Sequence, residues 1–202
     1  MIVAGLDLAT ASAAAYGRPG DIPKFRRWEL SGTRGERGLE FLHGFRTLLD
    51  ELLRADEVKV FVEAPIDIAG LQTKGGYGAD GATLLMLNGL IVLAEVVCAS
   101  RKVPCDLVKR ADALKHFTGR SRYGTKRPRT KVAPLFPGLS PKRRSGLKVE
   151  NPAKAACLAR CKLLRWPAET FDESDAAAVF DLGCAQQSRA AQIAALRPTV
   201  IS

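Results

Sequence analysis

Four acids in this 202-residue chain sit where a carboxylate could do chemistry. Asp7 lies inside the apolar run Ile2-Val3-Ala4-Gly5-Leu6-Asp7-Leu8. A lone buried carboxylate is costly unless it is paired or binds a metal. Glu63 closes the β-branched run Val58-Lys59-Val60-Phe61-Val62-Glu63, ahead of Ala64-Pro65. Asp172 and Asp175 are spaced i, i+3 at the start of a helical pattern, so both project to one side. If the first and fourth strands are neighbours, Asp7 and Glu63 face each other, and the last helix can bring its two acids over them.

Four such acids repel one another in a low-dielectric site, and some would take up protons. Divalent cations remove that conflict. Mg²⁺ prefers oxygen ligands and keeps positions for water and substrate phosphate. Two such ions would stabilise the attacking and leaving oxygens of an in-line displacement at a phosphodiester, leaving a 5′-phosphate and a 3′-hydroxyl. Each acid also has a plainer reading. Asp172 could be a helix N-cap, Asp175 an exposed first-turn acid favoured by the macrodipole, and Glu63 a surface residue at a strand end. Asp7, with apolar residues on both sides, is hardest to explain in that way.

The elements that must position these acids follow from periodicity. The first strand is short and apolar, as a strand buried on both faces should be. Residues 13–16 and 25–30 read as two more strands, giving an antiparallel meander. Residues 35–54 carry Leu39, Leu42, Phe45, Leu48, Leu49 and Leu52 at helical spacing. Val58–Glu63 reads as a central strand, 72–81 as a glycine-rich loop, 82–100 as a buried helix and 103–108 as a strand leading into 111–117. Pro152 suits the first turn of a helix over 153–164. A last helix runs from Phe171 to about Cys184, with a short extra helix over 190–196. The order of three strands, helix, strand, helix, strand, helix, helix is an α/β pattern with an antiparallel edge on a partly parallel sheet. The chain reads as one domain, 1–202, with an irregular basic insertion at about 120–150.

Charge is unevenly spread. Residues 109–165 hold 17 Lys or Arg against two acids, a net +15, while the rest of the chain is net −5. That imbalance suits a polyanion such as nucleic acid better than an ordinary mixed-sign surface. Lys109, Lys115, Arg120, Arg122, Lys126, Arg127 and Arg129 are the first DNA-contact candidates; Lys131, Lys142, Arg143, Arg144, Lys148 and Lys154 complete them. The five cysteines include no C-x-x-C pair, and only His43 and His116 could assist them, so buried free thiols are expected rather than a zinc site. No apolar run approaches a membrane span, because Asn88, Gly89 and Glu95 interrupt the longest one. No membrane partner is expected. The N-terminus lacks a signal-peptide pattern, and a cytoplasmic location is the default. Trp28 and Trp166 read as packing residues.

Several motifs resemble those of RuvC-like Holliday junction resolvases. Gly5-Leu6-Asp7-Leu8-Ala9-Thr10 is similar to that family's opening strand, Phe61-Val62-Glu63-Ala64-Pro65 to its second acidic strand, and Asp172-Glu173-Ser174-Asp175-Ala176-Ala177-Ala178 to its closing helix. Lys115-His116-Phe117-Thr118-Gly119 resembles its K-x-x-x-T-G segment, and Asn151-Pro152-Ala153-Lys154 the place of a lysine near the scissile phosphate. The resemblance implies a ribonuclease H-like fold, with a central mixed five-stranded sheet and flanking helices. It also implies a homodimer and symmetric nicking of four-way DNA junctions with two Mg²⁺ or Mn²⁺ ions per site. Asp7, Glu63, Asp172 and Asp175 become catalytic metal ligands and Lys154 the phosphate-contacting cation, with Lys126, Lys131 and Lys148 as other candidates for that role. Tyr77 takes the place of an aromatic wedge. The basic insertion, roughly thirty residues longer than compact members carry, departs from the pattern. Forks or flaps as substrates, a non-catalytic DNA-binding role, and an actin-type ATP-binding protein are the competing readings. The last needs glycine-rich phosphate loops and a longer chain than this one.

Overall fold

The computed structural model describes residues 1–64, 81–120 and 151–196. Tyr77 and the basic positions Arg122, Lys126, Arg127, Arg129, Lys131, Lys142, Arg143, Arg144 and Lys148 lie outside these residues. Five strands, β1 (Ile2–Asp7), β2 (Ala11–Gly17), β3 (Lys24–Glu29), β4 (Val58–Glu63) and β5 (Cys105–Val108), form one sheet in the order β3-β2-β1-β4-β5. The first three make the expected antiparallel meander. β4 runs parallel to β1, and β5 parallel to β4. Five helices are described: α1 (Arg34–Leu53), α2 (Gly81–Ser100), α3 (Arg110–Thr118), α4 (Pro152–Leu164) and α5 (Phe171–Leu196).

Side-chain alternation along the strands divides the core into two layers. Ala4, Leu6, Val60 and Val62 point to one face, where they pack with Phe41, Phe45, Leu48 and Leu49 of α1 and Leu90, Ile91 and Ala94 of α2. Val3, Phe61 and Val108 point to the other, against α3, α4 and α5. Asp7 and Glu63 share the parity of Val3 and Phe61, so both face this second layer.

Three expectations need correction. The segment over 111–117 is a helix, α3, which adds an element to the expected order; a nine-residue helix carries too little periodicity to stand out. The last helix does not break after Cys184 but continues to Leu196. Beyond Cys184 its alanine-rich sequence contains no glycine or proline, and the Ser188 hydroxyl donates to its own helix at the Cys184 carbonyl, 3.0 Å. Finally, α2 is long and apolar enough to cross a membrane by length and composition. Its inner row packs in the core, while Leu85, Val92 and Val96 stay exposed on the outside. The interrupting Asn88 folds its amide back onto the Leu84 carbonyl.

Helix α5 lies across β1, β2 and β4, and Gly5 sets how closely. A Cβ at Gly5 would come within 2.3 Å of the Phe180 backbone nitrogen and 2.9 Å of the Ala176 carbonyl oxygen. These are backbone atoms, so no side chain can rotate away to make room. Gly183 repeats the device one level up, where an added Cβ would meet the Phe61 ring at 2.5 Å. Gly5→Ala is expected to destabilise the fold by about 3 kcal/mol, the upper range for overpacking. Urea unfolding with an unchanged slope would measure it. A variant as stable as the parent would show that α5 is not seated this closely.

Candidate active site

The sheet register brings the first two acids together. Leu6 pairs with Val62 across parallel β1 and β4, and the next residue on each strand is Asp7 and Glu63. Both therefore end neighbouring strands on the face that α5 covers. Asp7 is 7% exposed. Among the described residues no donor hydrogen-bonds its carboxylate. Burial, reinforced by the charges of Glu63 and Asp175, holds its carboxyl well above the usual range. Glu63 is raised too, by burial first, with the Arg110 guanidinium pulling in the other direction.

The other two acids depend on how α5 begins. Asp172 does not cap this helix. Thr170 does: its hydroxyl accepts from the Glu173 backbone N–H at 3.2 Å, and the Thr170 N–H donates to Glu173 Oε2 at 2.9 Å. This is a capping box with Thr170 at N-cap and Glu173 at N3. The motif Thr170-x-x-Glu173 was legible and takes over the structural role that Asp172 could have filled. Asp172 and Asp175 are left free to point at the strand ends. Asp175 is 4% exposed, so it is not the solvated first-turn acid of the plainer reading.

Two cations enter the same cluster. Lys154, in the first turn of α4, places Nζ 3.1 Å from Asp172 Oδ1 and 3.6 Å from Asp175 Oδ2. Helix α4 is aimed by Asn151, whose side chain accepts from the Ala153 N–H, and by Pro152 at its first turn. Arg110 was not among the expected residues. It opens α3 directly after β5, and the β5 register pairs Val108 with Glu63. Its Nη1 donates to Glu63 Oε1 at 3.3 Å and its Nη2 to Asp175 Oδ2 at 3.0 Å. Burial works against both cations, but the acids around them win. Arg110 is raised by Glu63 and Asp175, and Lys154 by Asp175 and Asp172. Cys157, further along α4, is pushed up to about 12 by burial and by Asp175 beside it.

Asp7, Glu63, Arg110 and Lys154 line a cavity of about 140 Å³, with Leu87 and Ile91 of α2 on its far wall. A larger groove of about 660 Å³ between α1 and α2 has leucine and valine walls and no acid, so it carries no comparable chemistry. Among the described residues no three acids, histidines or cysteines are placed together as a ligand set, and Arg110 and Lys154 pair with three of the four carboxylates. The donors are nevertheless hard oxygens, and Asp7 is buried beside like charges with no hydrogen-bonding partner among the described residues. That is the environment a divalent ion relieves.

The remaining expected residues lie elsewhere. Lys109, Lys115 and Arg120 are exposed and outside the cluster. His116 pairs with Asp181 at 3.2 Å, a local link between α3 and α5. Trp166 stacks on Phe117 and meets Phe180 edge-on, and Trp28 packs on Phe41. All five cysteines are free thiols, four of them buried.

Among solved structures, the chain is similar to Thermus thermophilus RuvC, with 15% identity and a TM-score of 0.57 over 95% of this chain and 97% of that one. It is also similar to T. thermophilus RuvC in complex with a Holliday junction substrate, with 12% identity and a TM-score of 0.55 over 94% and 96%. At these identities the likeness establishes the fold, a ribonuclease H-like mixed sheet with flanking helices. No family model and no curated protein matches the chain.

The raised Asp7 carboxyl sets a pH signature. The folded chain binds this proton more readily than the unfolded one. That contribution to stability is therefore present at acid pH and is lost as pH rises through the raised folded value. With chelator present at neutral pH, Asp7→Asn should melt about 2–4 °C above the parent. The gap should narrow as pH falls toward the ordinary carboxylate value of 3.8. Thermal melts across pH would check this. A variant that melts lower at every pH would mean that the carboxylate is stabilised where it lies.

Proposed function

We propose that this chain is a divalent-metal-dependent DNA endonuclease that nicks branched DNA, four-way junctions in particular. One observation carries the reading: Asp7, Glu63, Asp172 and Asp175 arrive from three distant parts of the chain at one place, with Lys154 among them. The fold neighbour in complex with a Holliday junction substrate supports the choice of branched DNA.

On this reading the four carboxylates hold two Mg²⁺ or Mn²⁺ ions. When bound, these supply an activated water and charge stabilisation for in-line phosphodiester hydrolysis. The chain's own groups do the rest. Asp7 and Glu63, fixed at two strand ends, set the floor of the site, and Asp172 and Asp175 set its wall. The Lys154 ammonium, 29% exposed at its side chain, offers a point charge to a phosphate oxygen. Cleavage at the P–O3′ bond leaves a 5′-phosphate and a 3′-hydroxyl. Lys109, Lys115 and Arg120 add phosphate contacts, together with the basic positions between 122 and 148. Such contacts position the duplex without reading its sequence.

A two-fold symmetric junction calls for a two-fold symmetric enzyme, so the functional unit is a homodimer. The apolar α1–α2 groove is the surface we assign to the second copy. Leu39, Leu85 and Val92 are each more than half exposed there, and a contiguous apolar patch on a soluble surface marks an interaction site.

Two experiments test the reading. Asp175→Asn should lower Mg²⁺-dependent nicking by at least about 100-fold, on the scale of losing a transition-state contact, while junction binding survives. The parent should cut four-way junctions faster than forks or flaps of the same sequence, and faster cutting of forks would overturn the junction assignment. For the dimer, Val92→Glu should reduce the solution mass from two chains to one without loss of helical signal. A parent that is already monomeric at micromolar concentration would exclude this seam.

A further inference from the structure

Arg110 lies in the acid cluster although it opens a helix. The partial positive charge of a helix N-terminus disfavours a cation in the first turn, so α3 alone gives the guanidinium no reason to be there. Two carboxylates do: Glu63 Oε1 at 3.3 Å and Asp175 Oδ2 at 3.0 Å. These acids come from β4 and α5. One planar fork therefore ties a strand end to a helix start, a geometry that arginine supplies and lysine does not. The side chain is 38% exposed, so it has somewhere to go.

We infer that Arg110 is a placeholder cation, which holds Glu63 and Asp175 together in the metal-free protein and releases them when a divalent ion loads. The inference rests on the metal-binding reading above. A hard ion needs the oxygen lone pairs that the guanidinium now occupies, and one carboxylate oxygen does not serve both fully. Arg110 therefore stabilises the metal-free cluster and opposes loading. Those two effects have opposite signs, and a purely structural residue would not separate them in this way. Lys154 differs, because its contacts are with Asp172 and Asp175 and leave Glu63 untouched.

The test is a calorimetric titration of Mn²⁺ into the full chain without DNA, paired with thermal melts in chelator. Arg110→Gln should melt lower than the parent in chelator, yet bind Mn²⁺ more tightly, on the order of ten-fold. Arg110→Lys, which keeps the charge but loses the fork, should fall between the two and remains informative if the glutamine variant does not fold. A folded variant that binds Mn²⁺ no more tightly than the parent would overturn the placeholder role. A parent that binds no Mn²⁺ at all would remove the metal-binding reading, and the placeholder role with it.

Discussion

Like charges held side by side out of water are what this fold works against. Two unit charges 4 Å apart repel by about 4 kcal/mol at an effective dielectric near 20, and desolvation adds to that. Asp7, Glu63 and Asp175 accept both penalties. The strain appears in the raised carboxyls of Asp7 and Glu63 and in the two cations drawn in among the acids. An arrangement this unfavourable persists only where a large apolar scaffold fixes its members. Here the scaffold is the double-layered core on either side of β1 and β4.

Three independent devices share the positioning. The parallel register of β1 and β4 places Asp7 beside Glu63, and because strand side chains alternate, a slip by one residue would turn an acid to the opposite face. The missing side chain at Gly5 lets α5 settle directly onto β1. The Thr170–Glu173 capping box fixes where α5 starts, and so which residues occupy its first turn. Each device is local, yet the position of Asp175 relative to Asp7 depends on all three. That is why a glycine with no chemistry of its own matters to the site as much as an acid does.

Much of this was legible beforehand, for identifiable reasons. Val58–Glu63 is a β-branched run with an acid at its end, and it forms β4 with those bounds. Asp7 stood out because apolar neighbours leave a carboxylate no ordinary role. What escaped notice lacked that contrast. Helix α3 is nine residues long, about two and a half turns. Arg110 was hidden among 17 basic residues in its region, although a cation in a helix's first turn runs against the macrodipole and was a usable signal. Asp172 was open to a plainer reading as the cap because acids commonly are, while Thr170, two residues earlier with its glutamate at the proper spacing, was the better candidate for that role. The outer row of α2 could not be assigned from sequence, because a helix that is apolar all round shows no preferred face.

Charge distribution links the site to the rest of the chain. Four carboxylates outnumber Arg110 and Lys154, so the cluster, when its acids are ionised, repels a phosphate backbone. Screening confines that repulsion to about 8 Å at physiological salt. A substrate polyanion must therefore be attracted from farther out by something else. The net +15 over residues 109–165 is that counterweight. On the proposed function the two are halves of one design: a small acidic pocket that divalent ions make attractive at short range, and a broad basic segment that favours the polyanion at long range. Their separation in sequence lets the acids stay rigid on strand ends and a helix start. The cations need only charge, which a proline- and glycine-containing sequence can carry.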